Sequence, residues 1–162
     1  LLDVRQEACA SLHLAWGSFD WVNIYACAIY DGSVANVNLA GHSTFIGKDT
    51  SPCVVNGSSH KIYGMQEVAT VKFSQIDDGT IDILLADLEG NEWFTLKELR
   101  SSPFIIQLET HSLNARMPEK NYINPHIDRN DYSLHALTDS DSIFVSKSFE
   151  EFLKGKGINS KL

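Results

Sequence analysis

The chain has 162 residues, of which 43% are apolar and 21% charged, enough to build one domain with a real core and no disulfide staples. Its formal net charge of −8 excludes nucleic-acid binding over the whole surface, which needs clustered Lys and Arg, and is compatible with a basic protein partner. No apolar run approaches the roughly 18 residues of a membrane helix, so no membrane partner is expected.

In chain order, Leu1, Val4, Ala8, Leu12 and Ala15 recur at helical spacing, and Gly17-Ser18 stops the pattern. The segment Trp21 to Tyr30 is aromatic, β-branched and apolar on both faces, as an inner strand is. Asp31-Gly32 is a strong hairpin signal, and Val34 to Leu39 alternates as the returning strand. Residues 42–64 are rich in Gly, Ser, Pro and Asn, with short apolar pieces at Phe45-Ile46 and Val54-Val55, and read as a long connection with one edge strand. Val68 to Ile76 alternates cleanly, Asp78-Gly79 turns the chain, and Thr80 to Leu88 returns as a central strand.

Glu89-Gly90-Asn91 reads as a further turn, with Glu92-Trp93-Phe94 opening another strand. Thr95 and Glu98 have the form of a capping box, predicting a short helix to Arg100, and Phe104 to Leu108 reads as a strand. Residues 110–142 show no sustained period and read as a long irregular segment. Ile143-Phe144-Val145 is a last strand, and Ser148 with Glu151 caps a final helix ended by Gly155 and Gly157. The fold class expected is α+β: an antiparallel sheet of about five to seven strands with an N-terminal and a C-terminal helix packed on it, in a single domain over residues 1–162.

The most biased stretch lies between Asp77 and Glu92, where Asp77, Asp78, Asp82, Asp87, Glu89 and Glu92 occur with no basic residue. Read as a hairpin tip and its return, it mounts negative charge on a stiff element. Asp77, Asp78, Asp82, Glu89 and Glu92 are therefore the expected partner-binding residues, with the partner a basic protein. Asp82 and Asp87 stand an odd number of residues apart and project from opposite strand faces, which argues against a catalytic carboxylate pair.

A second constellation serves an alternative reading, a small-ligand or enzymatic pocket on a curved antiparallel sheet. Its polar groups are Tyr25, Asp87, His111, His126 and Asp128. His126-Ile127-Asp128 is an H-x-D pair, but His135 follows too soon to complete a recognised ligand pattern, and Arg129 offers Asp128 another partner. No metal or other cofactor is expected. Ser11, Ser18 and Ser43 lack a nucleophile elbow, and no glycine cluster opens a helix to cradle phosphate. Trp16, Phe19 and Trp21 are expected to knot the first helix into the core.

Three cysteines, Cys9, Cys27 and Cys53, without a CxxC pair fit free thiols in a reducing cytoplasm, and no signal peptide is visible. Together these features predict a small acidic cytoplasmic binding protein of the immunity or inhibitor type. The ending Ser148-Phe149-Glu150-Glu151-Phe152-Leu153 resembles the last helix of the SUKH immunity superfamily over some ten residues. A helix leading into a Leu-Pro segment, usual at the N-terminus in that family, is absent here, and no site residue is carried over from it.

Overall fold

The computed structural model describes residues 2–3, 6–20, 22–23, 25–40, 43–46, 64–88, 91–110, 120–138 and 140–158. Within them the architecture is α+β, with strands divided between two mixed four-stranded sheets and a short two-stranded pair instead of forming one antiparallel sheet.

The N-terminal helix α1 (Gln6–Trp16) ends where Gly17 donates its N–H to the His13 carbonyl. The ideal Cβ of any other residue at Gly17 would lie 2.6 Å from that oxygen, so glycine is required by close approach. This helix sits beside a short parallel pair, β1 (Leu2–Asp3) and β2 (Tyr25–Ala26), and Cys9 directs its thiol at the Tyr25 carbonyl. The aromatic knot is not core: Trp16 and Phe19 lean on each other at 6.0 Å and stay 46% and 43% exposed, while Trp21 lies outside the described residues.

The first large sheet runs β3 (Ala28–Ile29), β6 (Gly64–Val71), β4 (Val34–Ala40), β5 (Ser43–Ile46). The hairpin expected at Asp31-Gly32 is replaced by a crossover. β3 pairs with β6 in parallel and β4 pairs with β6 antiparallel, so the two strands flank β6 and not each other. The turn is held by its own polar groups. Asp31 accepts from Ser33 N–H, Thr70 accepts from Gly32 N–H and donates to the Ser33 carbonyl, and Gly32 adopts φ +88°. The expected Asp77–Glu92 hairpin also fails. β6 stops at Val71, a 3-10 turn at Phe73–Gln75 redirects the chain, and the next strand joins the other sheet.

That second sheet runs β7 (Ile83–Ala86), β8 (Ile105–Glu109), β10 (Asp141–Ser146), β9 (Tyr132–Leu137). β7 and β8 are parallel, joined by a crossover that holds α2 (Glu92–Leu96); the other pairs are antiparallel. Glu92-Trp93-Phe94 is therefore helical and not the start of a strand. The segment 110–142, expected to be irregular, contains α3 (Lys120–Arg129) and both strands β9 and the beginning of β10. The final helix α4 (Lys147–Gly155) starts two residues earlier than its sequence cap suggests, because the Ser146 hydroxyl accepts from Phe149 N–H.

The inner face of the second sheet supplies Leu84, Ala86, Ile106, Leu108 and Phe144 to the main core. Leu96 of α2 and Ile123 and Ile127 of α3 cover it, and Ile29 and Phe73 join from the first sheet's side. Full burial of each such side chain contributes about 1.5–3 kcal/mol, so this cluster fixes β7 and β8 and everything at their ends.

Candidate functional site

Parallel strands present their carboxyl ends together, and here both ends carry acids. The register Ala86 to Leu108 leaves Asp87, directly after β7, beside Glu109, the last residue of β8. The chain then passes through Leu88 and Asn91 into α2, whose first residue is Glu92. Glu92 is fully buried, and its Oε1 accepts from Leu88 N–H at 2.7 Å. One ligand oxygen each from Asp87, Glu92 and Glu109 lies within 4.8 Å of the others. On the far side of Glu109, Asp141 of β10 stands directly opposite in register and accepts from the Ser140 hydroxyl at 2.9 Å. Carboxyl groups gathered this closely favour a cation that approaches, and the exposed Asp87 is the one it meets first. Oxygen donors of this kind suit a hard divalent ion or a Lys or Arg head group.

Beside the carboxylates lies the outer face of the sheet. Ile83 and Leu85 alternate with the core residues Leu84 and Ala86 and are 56% and 69% exposed. The half-buried Ile105, Gln107 and Ile143 continue this face across β8 and β10. Ser133 donates to Glu150 at 2.7 Å and Phe149 stacks on Phe104 at 5.1 Å, which sets α4 against β9 and the entry to β8, while Ile83 and Leu85 stay exposed.

The residues singled out in the sequence do not act as one surface. Asp77 is only 1% exposed and serves the fold. Its Oδ1 accepts from Gly79 N–H and the Ser101 hydroxyl, and its Oδ2 accepts from Arg100 and Ser101 N–H groups at 2.6 and 2.9 Å. Burial opposes its ionisation, but these hydrogen bonds outweigh burial and hold the carboxyl below the usual range. Glu92 is buried too, so neither it nor Asp77 meets a partner as a surface charge. Asp78 is exposed and caps a local turn through Thr80; Asp82 is exposed at the start of β7; Glu89 lies outside the described residues.

Of the alternative pocket residues that are described, His126 lines a cavity of about 500 Å³ bounded by α3, β9 and the start of α4, with Ile127, Tyr132, Ser146 and Lys147 among its walls. Burial, and then the nearby Arg129, lower the His126 pKa, and its ring meets the edge of Trp93 at 5.5 Å. Tyr25 is on β2, Asp128 is exposed on α3 outside that cavity, Asp87 belongs to the carboxylate group, and His111 lies outside the described residues.

Glu109 was missed as a site residue because Thr80 to Leu88 reads equally well as a hairpin return and as a parallel strand. A parallel partner is what brings residues 87 and 109 together. No family model, curated protein or solved structure matches the chain. No helix among the described residues is long and apolar enough to cross a membrane.

Proposed function

We propose that this protein is a binding module that covers a basic protein partner, and that the contact is made at the β7 edge and the carboxyl ends of β7 and β8. The observation that carries this reading is the exposed Asp87 and half-buried Glu109 beside the exposed Ile83 and Leu85, with the buried Glu92 behind them. Charge on rigid strand ends speeds encounter with a cationic surface, and apolar contact next to it slows release. Cys9 and Cys27 form no disulfide among the described residues, which fits a reducing cytoplasm, where covering a basic effector in the manner of an immunity or inhibitor protein is one form this binding takes.

Heptalysine is a sufficient probe. Isothermal titration should show binding that weakens about tenfold in the double variant Asp87→Asn, Glu109→Gln and disappears by about 0.5 M salt. Glu67→Gln and Glu151→Gln, at exposed acids elsewhere, should change the affinity less than about twofold. Equal losses in both pairs of variants overturn the reading. Calcium or magnesium that displaces the probe at micromolar concentration reassigns the carboxylates to a divalent ion.

A further inference from the structure

The geometry points to a mode of recognition: the partner adds an extended segment to β7 as a fifth strand of the second sheet, and that segment carries two basic residues five positions apart. This inference rests on the binding reading above and specifies its partner.

β7 is an edge strand. Among the described residues it pairs with β8 alone, in the order β7-β8-β10-β9. Its outward face is apolar and open, with Ile83 56% and Leu85 69% exposed. An edge of this kind is a template for strand addition, and natural proteins guard such edges with charge. Here the guards are two exposed acids, Asp82 immediately before the strand and Asp87 immediately after it. The Asp82 carbonyl accepts from Phe104 N–H at 2.8 Å, so the backbone at Asp82 is already tied to the segment entering β8.

The two acids select the occupant. Antiparallel pairing of β7 with a second copy of itself, centred on Leu85, sets Asp87 of each strand opposite the apolar Ile83 of the other and gives neither carboxylate a basic partner. A segment with Lys or Arg opposite Asp87 and opposite Asp82 gives both acids a partner. Side chains on a strand alternate, so Asp87 shares a face with Ile83 and Leu85 while Asp82 projects from the other face. For antiparallel addition the complement reads basic, any, apolar, any, apolar, basic. The first basic residue and both apolar residues meet Asp87, Leu85 and Ile83, and the last basic residue meets Asp82.

The octapeptide Thr-Lys-Thr-Val-Thr-Val-Lys-Thr, blocked at both ends and dye-labelled, is the probe, read by fluorescence anisotropy against the full chain. Two N-methylated forms distinguish strand addition from charge attraction. One is methylated at alternate odd positions and the other at alternate even positions. An added strand hydrogen-bonds through one set of amides only. One form should therefore bind at least about tenfold more weakly than the parent while the other keeps its affinity to within about threefold. Replacing both lysines by Glu should abolish binding, and Asp82→Lys with Asp87→Lys should reverse that preference.

Heptalysine binding without octapeptide binding, or N-methylated forms that are both retained or both lost, overturns strand addition and leaves the charge-based reading standing. Failure of heptalysine as well removes both. Concentration-dependent dimers in sedimentation that disappear in Leu85→Lys overturn the inference in favour of a second copy as the occupant.

Discussion

Asp77 and Ser101 lie 24 positions apart in the chain, yet the Asp77 carboxylate receives both the hydroxyl and the backbone N–H of Ser101. Through the same carboxylate the turn that leaves the first sheet is fastened to the loop that enters β8. Asp77→Ala removes the acceptor from three buried or half-buried N–H groups and one hydroxyl, and should cost about 3 kcal/mol in urea unfolding at pH 7. Because the folded carboxyl titrates below its unfolded value, the stability it adds is present above the unfolded pKa and is lost as pH falls through the folded one. Acid unfolding of the wild type should therefore be steeper than that of Asp77→Asn, measured by circular dichroism between about pH 5 and pH 2.

Thr95 is 1% exposed, and its hydroxyl has no hydrogen-bond partner among the described residues. A buried hydroxyl in that state is costly, and valine has nearly the same shape. Thr95→Val should stabilise the protein by about 1 kcal/mol in urea unfolding. A loss of stability instead would mean that the hydroxyl is satisfied in solution.

Leu85 and Leu108 occupy the two faces of one sheet, 69% and 0% exposed respectively. Leu108→Ala should cost about 2–5 kcal/mol through lost burial and a residual cavity. Leu85→Ala should change stability by about 0.5 kcal/mol or less. If the β7 edge is a binding surface, that second variant weakens peptide binding while its unfolding curve stays in place.

His126 gives a pH dependence of opposite origin to that of Asp77. Burial, aided by Arg129, favours its neutral form in the folded state. Its contribution is full above the unfolded value of about 6.5 and is lost as pH falls from there toward the lower folded pKa. His126→Gln should flatten the stability profile between about pH 7 and pH 5. An unchanged slope would assign that region to other groups.

What could be read from the chain follows the range of the forces involved. The ends of the molecule were legible because their signals are local: helical spacing with a Gly17 stop at one end, and an amphipathic turn with Phe149 and Leu153 at the other, although its cap is Ser146 and not Ser148. β4, β7 and β8 were visible as alternating or apolar runs. The pairing was not visible. Asp31-Gly32 and Asp78-Gly79 carry hairpin chemistry, yet in both places the chain crosses to a different neighbour, because burial of Ile29, Phe73 and Leu84 in one core outweighs the turn preference. α3 was hidden by Pro125, a residue that ordinarily ends helices. The acidic bias between Asp77 and Glu92 was legible as charge but not as geometry. It divides into a buried structural anchor at Asp77, exposed acids at Asp78 and Asp82, and a group completed by Glu109 from a strand more than a dozen residues further on.

The most direct measurement is a chemical-shift map of the isotopically labelled protein titrated with heptalysine at low salt. The predicted result is that the largest amide shifts fall on Ile83 to Asp87 and on Glu109, and that they vanish in Asp87→Asn, Glu109→Gln. Shifts centred instead on Glu67, Asp78 or Glu151, or spread evenly over the acidic surface, would contradict a binding surface at the β7 edge.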